Sequence, residues 1–158
     1  MRKILFVCTG NTCRSPMAEV IFRDLVEKEG LKDIEVMSAG IFAVPEDRAN
    51  PNAIDVMKKR GLSLENHKST MLTADILEEA DLILTMTIGH KEVILQNYPE
   101  LEEKIFTLKE YVNNPEDIKN ANDINISDPF GQSVAVYKKS ADEIMTNLEK
   151  LLEKIKEM

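Results

Sequence analysis

Short apolar runs alternate along this chain with longer stretches in which apolar residues recur every three or four positions. The short runs read as buried strands and the periodic stretches as amphipathic helices. A first strand is predicted from Lys3 to Cys8, around Ile4-Leu5-Phe6-Val7. A helix follows from about Pro16 to Glu29, with Met17, Val20, Ile21, Leu25 and Val26 apolar and Gly30 as its stop. Ser15 suits the N-cap of that helix and Pro16 its first position. Further on, the pattern predicts a strand near Ile34 to Ser38 that leads into Ala39-Gly40, and a helix from Asn52 to Arg60 closed by Gly61. A helix from Ala74 to Ala80 capped by Thr73 comes next, then a strand from Leu82 to Met86 and a short helix from Gly89 to Gln96. Ile105 to Leu108 reads as a short strand and Leu108 to Val112 as one helical turn. The polar stretch from Asn113 to Asn125 reads as surface loop. The last helix, Ala135 to Lys156, places Tyr137, Ala141, Ile144, Leu148, Leu151 and Ile155 on one face, suited to packing on a sheet. Strands alternating with helices predict an α/β fold with a parallel sheet and ligands at the carboxyl ends of the strands.

Composition narrows this picture. At 158 residues, 43% apolar and 30% charged, the chain is expected to form one domain, residues 1–158, with a sizeable core. No membrane span or signal-peptide pattern is visible, so the expected location is cytoplasmic. The net charge of −8 carries no basic stripe, which argues against nucleic acid or an anionic membrane as partner. Any attraction for phosphate must then be local. The two cysteines share one loop and the two histidines lie far apart. Neither a disulfide framework nor a zinc site is expected, and no metal or cofactor is called for.

The chemistry concentrates in Val7-Cys8-Thr9-Gly10-Asn11-Thr12-Cys13-Arg14-Ser15-Pro16. Here a cysteine ends a buried strand, five residues form a tight loop, and an arginine stands where a helix begins. Loop amides and a helix N-terminus together make an anion site. Their field, with Arg14, favours a thiolate at Cys8 aimed at a bound phosphoryl group. Arg14 supplies a bidentate fork for the phosphoryl oxygens, Gly10 the freedom to curl the loop, and Ser15 a hydrogen bond to the Cys8 sulfur. One glycine is too few for a dinucleotide fingerprint, and the loop lacks the Gly-Lys-Ser/Thr of an ATP-binding loop. A leaving group also needs an acid. Asp128-Pro129-Phe130 alone is a turn initiator, but beside the Cys8 loop Asp128 becomes the candidate acid and Phe130 an apolar wall. Cys13 either traps oxidised Cys8 as a disulfide or is a bystander. His67 is placed to hydrogen-bond the loop through Asn11, although a satisfied core histidine is the commoner outcome. His90 has only that plain structural reading.

These residues resemble the low-molecular-weight protein tyrosine phosphatase family over essentially the whole chain. The motif C-x-G-N-x-C-R-S-P from Cys8 to Pro16 is specific to that family and its near relatives, and Ser38-Ala39, His67-Lys68-Ser69 and Asp128-Pro129 follow in its order. The resemblance implies a four-stranded parallel sheet flanked by helices, with Cys8 as nucleophile, Arg14 as clamp and Asp128 as acid. It implies that Asn11, Ser15, Ser38 and His67 hold the loop. Thr9, Gly10, Thr12, Cys13 and Phe130 complete the phosphate and substrate site. Phosphorylated proteins are the implied partners, with phosphate and vanadate as competing ligands. Thr12 replaces the branched aliphatic residue usual in tyrosine-directed members, Phe130-Gly131 replaces a tyrosine after Asp-Pro, and Thr87 replaces a frequent aspartate. This set resembles the bacterial protein arginine phosphatase branch, in which the threonine helps to recognise a guanidinium. A tyrosine-directed phosphatase is the main alternative. Arsenate reductase would need further cysteines for its disulfide relay, and a silent phosphate-binding module would be expected to lack Cys8 or Asp128.

Overall fold

A computed structural model describes residues 2–158. Strands β1 (Arg2–Cys8), β2 (Ile34–Gly40), β3 (Leu82–Thr85) and β4 (Ile105–Thr107) form one parallel sheet in the order β2-β1-β3-β4. The helices are α1 (Arg14–Lys28), α2 (Pro51–Lys59), α3 (Ala74–Glu79), α4 (Ile88–Asn97), α5 (Leu108–Val112), α6 (Ala121–Ile124) and α7 (Val134–Lys156). β1 is flanked on both sides, and Leu5, Phe6 and Val7 are fully buried. Because strand side chains alternate, Ile4, Phe6 and Cys8 enter the layer built with α1, α2 and α7. Leu5 and Val7 enter the opposite layer, against Leu77 of α3 and Ile94 of α4. The result is a three-layer α/β/α fold whose sheet is covered on both faces, as parallel sheets require. In the α1 layer Phe6 and Phe22 meet edge to face with centroids 5.9 Å apart, and Tyr137, Ile144 and Leu148 of α7 close the core.

Local rules account for most helix ends. Gly30 adopts φ 71° just past α1, with Gly30 N–H donating to Glu27 and Leu31 N–H to Val26, a left-handed C-terminal cap. The start of α1 differs from expectation. It begins at Arg14 with Cys13 in the cap position and no side-chain cap, so Ser15 lies inside the first turn. Its hydroxyl is taken by other partners, and Pro16 is tolerated there because first-turn amides need no helical acceptor. The segment from Asn113 to Asn125 also differs, containing a 3₁₀ turn at Pro115–Asp117 and the short α6. Asn120 caps α6 with its side chain while Asp123 reaches back to the cap, a reciprocal pair that can order polar sequence without an apolar face. Lys109 Nζ donates to the Asn122 carbonyl at 2.7 Å and ties this segment to α5. No helix among the described residues is long and apolar enough to cross a membrane.

Register pairs Cys8 with Gly40 at the carboxyl edge of the sheet. A Cβ on Gly40 would stand 2.7 Å from the Thr9 carbonyl oxygen and 2.8 Å from the Asn11 nitrogen, both backbone atoms. Glycine is therefore required for the close approach of β2 to the loop after β1. Gly40→Ala is expected to cost about 1–3 kcal/mol of unfolding free energy by overpacking and to shift the amide resonances of Thr9 to Cys13. Urea titration and NMR check this; wild-type stability with unmoved resonances would show that the loop relaxes freely.

Candidate active site

The strand–loop–helix passage from Cys8 to Arg14 turns on Asn11. This residue is fully buried and has φ 57°, the left-handed region that asparagine tolerates better than most residues. Gly10 is not among the residues with positive φ, and a Cβ there would meet only Thr12 Oγ1 at 3.7 Å. The conformational freedom expected of Gly10 is thus supplied by Asn11, whose side chain compensates by bonding on every side. Asn11 Nδ2 donates to Ser15 Oγ at 2.8 Å and to Ser38 Oγ at 2.9 Å, and Oδ1 accepts from Thr70 N–H at 2.9 Å. The Asn11 carbonyl accepts from His67 Nε2 and from Ser69 Oγ, each at 2.8 Å.

Other loop carbonyls are held outward as well. Cys8 O accepts from Ile41 N–H at 3.0 Å, and Thr9 O from Phe42 N–H at 2.9 Å. Thr12 O accepts from Asn50 N–H, also at 2.9 Å. In a trans peptide the N–H points opposite the carbonyl it adjoins. Fixing the carbonyls of Cys8, Thr9, Asn11 and Thr12 on the outside therefore turns the amides of Thr9, Gly10, Thr12 and Cys13 inward. They face a pocket of about 240 Å³ lined by Cys8, Thr9, Gly10, Thr12, Cys13, Arg14, Asp128 and Phe130. Inward amides at the N-terminus of α1 make this an anion site. A larger recess of about 500 Å³ behind the loop is lined by Glu19, Ser38 and His67 among others and by neither cysteine.

Cys8 is nearly buried, its Sγ 2.9 Å from Ser15 Oγ. Ser15 Oγ accepts from Asn11, which leaves its hydroxyl hydrogen free to donate to the sulfur. Ser38 Oγ accepts from Asn11 and donates to Glu19, which also pairs with Arg23. Arg14 is buried; Nη1 donates to the Ile126 carbonyl at 3.0 Å and Nη2 lies 3.6 Å from Asp128 Oδ2. Asp128 is exposed and its Oδ1 accepts from Phe130 N–H at 3.1 Å, an Asx turn that aims the carboxylate. Phe130 remains 67% exposed at the pocket rim.

Three contributors were not singled out by sequence reasoning. Glu19 terminates the Asn11–Ser38 chain of hydrogen bonds. Tyr137, read as core packing on α7, is fully buried with its hydroxyl 3.3 Å from Cys13 Sγ. A buried tyrosine hydroxyl needs a partner, which is the one signal that pointed there. Burial pushes the Cys13 thiol up from its ordinary value and the Tyr137 hydroxyl well up, so both keep their protons. His90, given only a plain structural reading, contacts the loop through Thr9, with Nε2 2.9 Å from Thr9 Oγ1. It also occupies the third position of α4 in a reciprocal cap with Thr87.

Burial, and then the nearby Arg14 charge, lower His90 to about 4, with Asp128 opposing. An unfolded chain binds this proton below about 6.5, the folded chain only near 4, so the neutral ring's contribution is complete above 6.5 and lost as pH falls toward 4. His90→Asn cannot titrate. The stability difference between wild type and this variant is expected to shift against the wild type by roughly 3 kcal/mol between pH 7 and pH 4. Urea unfolding at several pH values reads it; parallel pH profiles would refute the buried neutral ring.

Residues 3–158 match the model of the low molecular weight phosphotyrosine protein phosphatases. The chain is 43% identical over 153 residues to a protein-arginine-phosphatase of Bacillus subtilis, covering 97% of this chain and 96% of that protein. It is 37% identical to the low molecular weight protein-tyrosine-phosphatase PtpB of Staphylococcus aureus, over 94% of this chain and 96% of the relative. Among solved structures, a cysteine-to-serine variant of YwlE arginine phosphatase with a phosphorylated active-site serine superposes with a TM-score of 0.89. That match is 42% identical and covers 98% of this chain and 95% of the other. The chain belongs to the low molecular weight phosphotyrosine protein phosphatase family.

Proposed function

We propose that this protein is a cysteine-dependent protein phosphatase that hydrolyses phosphoarginine. The observation that carries the reading is the pocket itself, where Cys8, Arg14, Asp128 and Thr12 converge on one anion site. Cys8 Sγ attacks phosphorus, a P–S bond forms, and the P–N bond to the guanidine breaks as Asp128 protonates the leaving nitrogen. Water then attacks phosphorus, Asp128 takes its proton, and the P–S bond breaks to return Cys8. Arg14, pinned by Ile126, offers a fixed fork to the phosphoryl oxygens, while the inward amides and the Ser15 hydroxyl stabilise charge on phosphate and sulfur. Cys13 lines the pocket as a protonated thiol and is a second oxidisable group beside Cys8.

The choice of phosphoarginine rests on Thr12 and on relatedness. A threonine hydroxyl at the pocket wall suits a guanidinium N–H and packs poorly against a phenyl ring. Asp128 opposite offers the same guanidinium a carboxylate. The 43% identity to a protein named for phosphoarginine supports the reading. The 37% identity to PtpB and the exposed Phe130 ring favour phosphotyrosine as the alternative. Inorganic phosphate and vanadate should compete for the pocket. The net charge of −8 argues against nucleic acid as ligand, and the free thiols of Cys8 and Cys13 suit a reducing cytoplasm.

Two experiments test this. Cys8→Ser should abolish turnover, Arg14→Lys should nearly do so through loss of the fork, and Asp128→Asn should lower kcat by about 10²–10⁴ while sparing vanadate binding. Turnover retained in Cys8→Ser would remove the covalent mechanism. Separately, kcat/KM is compared on matched phosphoarginine and phosphotyrosine peptides for wild type and Thr12→Ile. A phosphoarginine preference reversed by Thr12→Ile is expected; a wild-type preference for phosphotyrosine would return the chain to the tyrosine-directed branch.

A further inference from the structure

His90 makes two contacts that require different atoms. Its Nδ1 accepts the Thr87 N–H at 3.2 Å, and the His90 backbone N–H donates to Thr87 Oγ1 at 3.2 Å, closing the cap of α4. An accepting Nδ1 carries no proton, so in the neutral ring the proton sits on Nε2. Nε2 lies 2.9 Å from Thr9 Oγ1, which fixes the direction: the ring donates and the threonine oxygen accepts. This is the hydrogen bond that the Thr9 hydroxyl makes among the described residues, and the threonine's own hydrogen is thereby turned away from His90. Thr9 follows the nucleophile directly and lines its pocket.

We infer that His90 is a positioning residue, whose Nε2–H holds the Thr9 hydroxyl as a donor to the phosphoryl group over Cys8. The inference rests on the phosphatase reading above and adds a donor that is preset before charge develops. Helix capping needs only an acceptor at Nδ1 and would be served by asparagine. The second contact at 2.9 Å is what capping leaves unexplained.

Two conservative variants separate the roles. His90→Asn keeps an acceptor near the Nδ1 position and loses the reach to Thr9. His90→Gln places a carboxamide N–H near the Nε2 position and weakens the cap. On a phosphorylated peptide, His90→Asn is expected to lower kcat about tenfold, the scale of one hydrogen bond, with a smaller change in KM. His90→Gln should stay within about threefold of wild type. Thr9→Val should match His90→Asn, and the double variant should fall no further than either alone. Wild-type kcat in His90→Asn with a loss in His90→Gln would make His90 a helix cap only and overturn the inference. So would losses in both that track unfolding free energy, or additive losses in the double variant. Absence of turnover in the wild type, or turnover surviving Cys8→Ser, would instead strike the phosphatase reading on which this rests.

Discussion

A short loop can present several amides to an anion only while its carbonyls are held on the opposite side by something stronger than solvent. Here that task falls on Asn11, a buried residue in a left-handed conformation whose side chain and carbonyl bond to Ser15, Ser38, His67, Ser69 and Thr70. Left-handed backbone is unfavourable by about 1 kcal/mol or more for a residue with a Cβ. Hydrogen bonds to separate chain segments offset it, and each would leave a buried polar group unpaired if broken. The same network orients the Ser15 hydroxyl at Cys8, so loop geometry and the environment of the sulfur are set by one side chain.

The parts of the site differ in stiffness according to their task. Cys8 ends a central strand, and Arg14 is buried and pinned by a backbone carbonyl. Asp128 sits on an exposed turn, held by Phe130 N–H and by Gln132 Nε2 on its carbonyl. A buried anion cradle is thus joined to a carboxylate on a separate, exposed turn beside Phe130. The anion site is also electrostatically local. In a chain of net charge −8 the attraction for phosphate comes from oriented amides and one buried guanidinium, which act at short range where screening is weak.

Much of this architecture was legible because it is local. The alternation of apolar runs gave the strands, and Cys8 to Arg14 could be placed between a strand and a helix from neighbouring residues alone. What escaped was long-range. Tyr137 lies 124 residues from the thiol it touches, and His90 lies 81 from Thr9. No spacing rule joins such pairs, and each residue had an adequate local explanation on a helix face or at a helix start. Serine favours caps, yet at Ser15 the contact with Cys8 that the loop motif predicts, together with the bond from Asn11, outweighs that preference. In the polar stretch after Val112, Asn120 and Asp123 formed a helix by mutual capping that hydrophobic periodicity could not reveal.

The wide separation of the loop's supports bears on how the molecule comes into being. Cys8 lies near the start of the chain and is made first; the partners of Asn11 are complete at Thr70, whereas His90 beside Thr9 and Tyr137 beside Cys13 are made much later. Until α7 docks, Cys13 lacks the Tyr137 hydroxyl and the layer over Phe6 and Phe22 lacks its cover. A nascent chain therefore carries Cys8 and its loop well before the Ile126 carbonyl that pins Arg14 and the turn that bears Asp128. The site is thus assembled in order along the chain, and the helix that covers its inner side comes last.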